Sequence, residues 1–296
     1  MAKMAAAGVT SVRIDFAWES LQPRPGPMSP WHVGLAERCV EIARANGMSV
    51  LGTLWTTPTW ANGGRDNTVP PTRARDFAHF ARWAASHFRG RVGAWEIWNE
   101  PDYDVYFKGT TRRYVKLLRA SYRAIKSRDR KALVLTGGVV HNNDRWLRDA
   151  YRAGAKGFFD AVATHPYQGV GDAAPETPDS GEDWWLMTHV KAVHELMARH
   201  GDGRKPIWFT EFGWSVHDNA QGLPLWQRGV TASVQAEYIV RAIALVRGNY
   251  PYVKRMYWYK DRTMPAEDFH EGGYGLLRTD LTPRPAYTAL KTLLAP

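Results

Sequence analysis

Short apolar runs of strand-forming residues alternate along this chain with longer stretches whose apolar positions recur every three to four residues. The strand-like runs are Ser11–Phe16, Ser49–Trp55, Val92–Trp98, Ala132–Thr136, Ala161–His165, Ile207–Thr210 and Val253–Tyr259. Ser29-Pro30 supplies an N-cap and a first-position proline for a helix that stops at Asn46-Gly47. Thr72 to Phe88 sets Phe77, Phe80, Ala81, Ala84 and Phe88 at helical spacing. Further helices are predicted over Thr110–Ser127, Asp144–Ala153, Asp183–Arg199, Thr231–Val246 and Pro285–Leu294. Strand-then-helix order implies a parallel sheet, because parallel neighbours need a crossover. No compositional break or linker divides the chain, so residues 1–296 read as one α/β domain, a (β/α)8 TIM barrel. An open doubly wound sheet would want a Gly-rich phosphate turn after a strand, and none follows any of these. The pattern yields seven strands where a barrel has eight. Ala2–Ala7, ahead of Gly8, reads as the end of a helix that should follow strand one. The expectation is therefore a barrel whose first strand is missing from the N-terminus of this chain, with one open edge. No apolar stretch of signal-peptide length precedes it.

Composition narrows the function classes. Hydrophobic residues are 44% of 296 and charged residues 23%, enough for a large core. No run of about 18 apolar residues exists, so membrane insertion is not expected. The single cysteine, Cys39, excludes a disulfide framework and a multi-cysteine zinc site, and its helical, apolar setting reads as inert core. Net charge is +10, which would suit nucleic acid or an anionic polymer, but the arginines are scattered through helical segments, so nucleic acid is not the expected partner. Fourteen tryptophans suit stacking on sugar rings as well as they suit a core.

In barrels of this kind the reacting groups sit at the C-terminal strand ends. The run Val92–Trp98 leads into Trp98-Asn99-Glu100-Pro101, and Ile207–Thr210 leads into Glu211-Phe212-Gly213-Trp214. Two carboxylates across a barrel mouth are the equipment for glycosidic cleavage: one is protonated to help the leaving group depart, the other ionised to attack the anomeric carbon or activate water. Either glutamate alone fits a surface salt bridge or a helix cap equally well. Other chemistries lack their residues. His189 and His194 miss the i, i+4 spacing of a zinc helix, no Gly-x-Ser-x-Gly elbow occurs, and Gly272-Gly273 is the only late glycine pair a phosphate-sugar enzyme could use.

Trp98-Asn99-Glu100-Pro101 and Thr210-Glu211-Phe212-Gly213-Trp214 resemble the acid/base and nucleophile signatures of glycoside hydrolase clan A, retaining (β/α)8 glycosidases with one glutamate after strand four and one after strand seven. Val12-Arg13-Ile14-Asp15 resembles the clan's second strand, whose arginine lies beside the nucleophile. Trp18-Glu19-Ser20-Leu21-Gln22-Pro23, with Gly26 and Trp31, resembles the loop after it in family 39 and family 42 types. His165-Pro166-Tyr167 resembles the strand-six end, and Trp258 the strand-eight tryptophan that floors the reactive subsite. Family 39 is the nearer likeness, a group that includes β-xylosidases, iduronidases and exopolysaccharide endoglycosidases; family 5 comes second. The clan often carries a histidine at the end of strand three, where this chain has Trp55.

The resemblance implies a retaining hydrolase of β-linked oligo- or polysaccharide, of exopolysaccharide or cell-wall type, needing no cofactor and no metal. It implies a monomer, outside the cell or in its envelope. Glu100 is then the acid/base and Glu211 the nucleophile. Arg13 would keep Glu211 ionised, or else pair with the deeper Glu96. Asn99 would donate to the sugar 2-OH, Tyr167 would hydrogen-bond the nucleophile, His165 would contact a substrate hydroxyl, and Trp258 and Trp55 would line sugar subsites. Trp18, Trp60 and Trp214 are as well suited to the core as to a subsite. Trp184 and Trp185 follow a polar loop, Gly169–Asp183, that could overhang the cleft. A non-catalytic sugar-binding barrel is the alternative.

Overall fold

A computed structural model describes residues 1–179, 186–219 and 222–295. Its elements run α1 (Ala2–Ala6), β1 (Ser11–Ala17), α2 (Trp18–Leu21), α3 (Pro30–Ala45), β2 (Ser49–Trp55), α4 (Thr59–Asn62), α5 (Ala74–His87), β3 (Ala94–Ile97), α6 (Thr111–Lys126) and β4 (Leu133–Leu135). There follow β5 (Val139–Val140), α7 (Asp144–Arg152), β6 (Val162–His165), α8 (Val190–Arg199), β7 (Ile207–Phe212), α9 (Ala232–Asn249), β8 (Val253–Trp258), α10 (Phe269–Gly273) and α11 (Pro285–Leu294). All strand pairs are parallel, in two sheets ordered β1-β2-β3-β4 and β5-β6-β7-β8. The bridges Asn99↔Gly138 and Leu135↔Ala161 join the sheets. β4 and β5 are thus two pieces of one barrel strand, broken at Gly137-Gly138, and eight pieces fill seven barrel positions. The sequence pattern ends this strand at Thr136 and does not show its second piece.

Sequence chemistry explains the joints. Thr110, Asn143 and Thr231 cap α6, α7 and α9 by accepting the backbone N–H three residues on. Ser29 occupies the N-cap position of α3, but its hydroxyl meets the His32 ring at 3.0 Å and caps no backbone. Aromatic side chains fill the layer between strands and helices: Phe16 packs edge-on against Phe88 and Trp95, and Trp18 stacks on Phe80. Gly52 in β2 makes room for Trp95, whose ring would lie 2.5 Å from any Cβ there. Cys39 is exposed, contrary to expectation, although Val40 and Ala43 of the same helix are buried. Among the described residues no helix is long and apolar enough to cross a membrane. Trp184 and Trp185 lie outside the described residues.

No backbone ladder joins β1 to β8 among the described residues. Side chains bring the two strands together, with Tyr257 of β8 beside Ser11 of β1. A cavity of about 790 Å³ lies along this seam and ends at Glu211.

Candidate active site

The strand tips carry the candidate residues. β7 extends past Thr210 to include Glu211, and β3 gives way to Asn99 and Glu100 through a kink at Trp98, where φ is +74°. That kink breaks the alternation expected from Glu96 through Glu100. It turns the Trp98 indole outward against Phe77 and Phe107, its N–H donating to Tyr106 O, and lets Asn99 meet Arg13. Glu100 also has positive φ, at +44°. Its N–H donates to Gly138 O, so the strand break at Gly138 seats the residue. Backbone strain concentrated at these two positions is the kind that functional sites hold.

Arg13 ties three strands together. Its Nε donates to Glu96 at 2.7 Å, Nη1 to Glu211 at 2.6 Å and Nη2 to Asn99 Oδ1 at 2.8 Å. Both expected partners, Glu96 and Glu211, are engaged at once. Glu96 is fully buried and further held by the Thr53 and Thr210 hydroxyls and the Gly138 N–H. Asn99 gives its carbonyl to Arg13, which leaves its amide NH2 as a donor toward the mouth. Tyr167 donates to Glu211 Oε2 at 3.0 Å. His165 sits behind the pair with its ring fully enclosed, Nδ1 lying 2.8 Å from Glu100 Oε1 and 3.7 Å from Glu211 Oε2. It therefore addresses the carboxylates in place of the substrate hydroxyl expected for it. Ligand atoms of Glu100, His165 and Glu211 all lie within 4.8 Å of one another.

The two carboxyls are driven apart in acidity. Burial raises Glu100, and the nearby charge of Glu211 adds to this, against the hydrogen bond and charge of His165. Burial would raise Glu211 too, but the charges of His165 and Arg13 and the Tyr167 hydroxyl outweigh it, and its pKa is lowered. His165 is raised: burial opposes its charge, and Glu211 and Glu100 overcome that. Different environments for two carboxyls are how one site holds an acid beside an ionised nucleophile.

Tryptophans divide between mouth and core. Trp258 is half-buried beside Gly213, with its N–H on Tyr274 O, and Trp55 is half-buried facing Tyr106. Trp18 and Trp214 are fully buried and Trp60 is tied to Gln22 O, so these three pack and brace. Gly272-Gly273 ends α10 against Ser215 and Val216, with no room for a phosphate: a Cβ on Gly273 would stand 2.1 Å from Ser215 Oγ. His189 is buried between Asp179 and Asp144 at 2.8 and 3.3 Å, and His194 stacks on Tyr252.

Three groups near the site escaped the sequence reading. His141, with φ +49°, follows the broken strand, lies 2.7 Å from Tyr167 O, and is pushed down to about 4 mainly by burial. Asp102, two residues after Glu100, accepts from the Val140 N–H and the Asn143 amide. Tyr259 and Tyr274 pack edge-on around Tyr167. The Gly137-Gly138 pair and the Tyr257-Trp258-Tyr259 run were the available signals.

Fold and site together define a class: β/α barrels that present two carboxyls of opposed acidity at the C-terminal mouth. The chain belongs to glycosyl hydrolases family 39, whose profile matches residues 67–295. It is similar to a β-xylosidase of Caldicellulosiruptor saccharolyticus, with 25% identity over 241 residues, 77% of this chain and 48% of that protein. A β-xylosidase of Geobacillus stearothermophilus is 25% identical over 257 residues, covering 76% and 47%. The chain thus spans about half the length of the curated relatives it matches. Its fold is that of a family 39 glycoside hydrolase from Bacteroides cellulosilyticus WH2, with a TM-score of 0.78 and 23% identity over 98% of this chain and 59% of that one. A β-xylosidase from Caulobacter crescentus CB15 superposes with a TM-score of 0.72 at 21% identity, over 99% of this chain and 63% of that one.

Proposed function

We propose that this chain is a retaining glycoside hydrolase that cleaves β-linked oligo- or polysaccharide of exopolysaccharide or cell-wall type. The observation that carries the reading is the approach of Glu100 and Glu211 to within 4.8 Å, with acidities set in opposite directions. Retaining pairs stand about 5–5.5 Å apart and inverting pairs about 6.5–9.5 Å, so the spacing favours retention. Glu211, held ionised by His165, Arg13 and Tyr167, attacks the anomeric carbon while Glu100 protonates the departing oxygen. Glu100, now ionised, takes a proton from water, which hydrolyses the glycosyl–enzyme intermediate. The Asn99 amide donates to the 2-OH, an interaction that strengthens as the ring gains oxocarbenium character. Trp258 floors the reacting ring. No residue of the pair needs a metal or cofactor for these steps. The reading places a monomeric enzyme outside the cell or in its envelope, with the polymer as its partner and no nucleic acid. We also read the seam between β1 and β8 as the place of the expected eighth strand; the unpaired edges and the cavity along them support this.

A hydrolysis panel of nitrophenyl glycosides and polysaccharides tests the mechanism. Glu211→Ala should lose at least about 10⁴-fold in kcat. Glu100→Ala should lose about 10²–10⁴-fold on natural linkages, and less on substrates with acidic leaving groups. Equal activity of wild type and Glu211→Ala would remove Glu211 as the nucleophile.

A further inference from the structure

We propose that the outer wall of the barrel carries a second carbohydrate site, a stripe of cations on α6 that binds an acidic polysaccharide through its carboxylates, apart from the cleft. The charge of this chain is local. Residues 108–160 hold 14 of the 39 Lys and Arg but 4 of the 29 Asp and Glu, a net charge of +10. The rest of the chain holds 25 of each, so the arginines elsewhere are matched by acids and those of this segment are not. α3 shows the ordinary pattern, with Glu37 and Glu41 as well as Arg38 and Arg44; α6 has six Lys and Arg and no acid.

Helical spacing gathers that charge on one face. Arg112, Lys116, Arg119 and Arg123 stand at i, i+4, i+7 and i+11, opposite the buried Tyr114, Ser121 and Ile125. None of the four side chains forms an ion pair or a hydrogen bond among the described residues. Lys126, next on the same face, pairs with Asp160 and ends the stripe. Like charges at these spacings repel and weaken a helix, and nothing within the described residues offsets that. Arg119 and Arg123 both stand over the Phe158 ring, each guanidinium carbon 4.8 Å from its centroid. The ring holds the two forks in place and leaves their N–H groups to an outside acceptor. α6 and α7 hold none of the exposed large apolar side chains, so this face offers no anchor for a bilayer and no platform for unpaired bases.

The partner follows from the chemistry and the place of the stripe. Guanidinium forks match carboxylates, and a polyuronate presents carboxylates in a line as the stripe presents cations. Tyr114, in the first turn of α6, donates to Ile97 O and accepts from the Gly137 N–H, at the end of β3 just ahead of Glu100. The stripe therefore starts level with the barrel mouth and runs about 16 Å along the wall. The choice of a polysaccharide among linear polyanions rests on the glycosidase reading. An enzyme tethered to an acidic polymer by its wall keeps its mouth at a high local concentration of chains.

Biolayer interferometry on immobilised polygalacturonate tests the site, with the fully methyl-esterified polymer as its uncharged control. Wild type should bind the acid form and not the ester, and weaken steeply with added salt, because exposed charges are screened. Combining Arg112→Gln, Lys116→Gln, Arg119→Gln and Arg123→Gln should weaken binding by at least about tenfold. A second variant, with Arg38→Gln, Arg44→Gln, Arg82→Gln and Arg89→Gln, removes the same charge from exposed arginines of α3, α5 and the turn after it. It should stay within about twofold of wild type. Arg112→Gln with Lys116→Gln leaves the Phe158 stack intact and should still lose about threefold or more, whatever the stability of the fourfold variant. All three should keep wild-type kcat/KM on a nitrophenyl glycoside. Equal loss in the stripe and control variants, or full affinity in the stripe variant, would overturn the site. So would stripe-dependent affinity seen only with duplex DNA or with phosphatidylglycerol–phosphatidylcholine vesicles. Stripe-dependent binding by a protein that cleaves no glycoside would uphold the site and sink the hydrolase reading; cleavage by a protein that binds no polygalacturonate would do the reverse.

Discussion

The two sides of this barrel are built differently. Around β3, β6 and β7 the strands are paired on both edges and almost every residue is buried. At the seam, β1 and β8 each keep an edge that is unpaired among the described residues; β1 is half-buried along most of its length, and Lys254 and Arg255 of β8 are exposed. Yet the cation that organises the site, Arg13, comes from the seam. The closed wall supplies Glu96, Asn99, Glu100, His165 and Glu211; the open side supplies the guanidinium that pairs with two of those carboxylates and with Asn99. The active geometry is therefore held by side-chain bonds across the barrel as much as by the sheet. The seam strand is kept in place from within, by the groups it serves.

Cutting that tie should have the largest effect. Arg13→Met leaves Glu96 and Glu211 buried without their partner. Removing one member of a buried ion pair typically costs about 3–5 kcal/mol, and denaturant unfolding would show the loss. The nucleophile's pKa would rise, and kcat should fall by more than about 10³-fold, with the acid limb of the pH–rate profile moving upward. Arg13→Lys keeps charge but cannot reach three acceptors with one fork, so it should fall between. If Arg13→Met unfolds at wild-type denaturant concentration, the seam is held by something other than this network.

Much of this was legible in the sequence, for a physical reason. Strand alternation and the location of barrel sites at strand ends make Arg13, Glu100, Glu211 and Tyr167 readable from their neighbours alone. What was not legible depends on backbone states that residue type does not reveal. Positive φ at Trp98 sends one indole into the core and brings Asn99 inward. The break at Gly137-Gly138 hides the second piece of a strand and, with it, His141. Trp18 and Trp214 illustrate the other limit: an indole suits a core and a sugar cleft equally, so only packing separates them.

A second way to probe the closed wall uses pH. Burial pushes Asp102 up to about 7, from an ordinary 3.8, despite its hydrogen bonds from Val140 and Asn143. The folded protein therefore holds a proton that the unfolded chain releases between about pH 4 and 7. Stability falls as pH rises through that window, because the unfolded state binds fewer protons there. Asp102→Asn removes this titration. The difference in melting temperature, variant minus wild type, should grow from pH 4.5 to pH 8. A flat difference would mean that Asp102 is ionised without strain.

Adding one methyl group to each side gives the smallest and most direct comparison. On the closed wall, a Cβ at Gly138 would stand 2.2 Å from His165 Nε2 and 2.8 Å from Thr210 Oγ1. Overpacking a filled core costs about 1–3 kcal/mol, and here the displaced ring is the one that contacts Glu100, so Gly138→Ala should lose stability and activity together. Beside the seam, Gly248 near the end of α9 has no atom within 4 Å of its added Cβ and no positive φ. Alanine there gains helix propensity and should stabilise by up to about 1 kcal/mol with kcat unchanged. The two variants, measured side by side in urea and on one substrate, should move in opposite directions. A destabilised Gly248→Ala would show that the open side is packed as tightly as the wall, and would remove the contrast on which the reading of the seam depends.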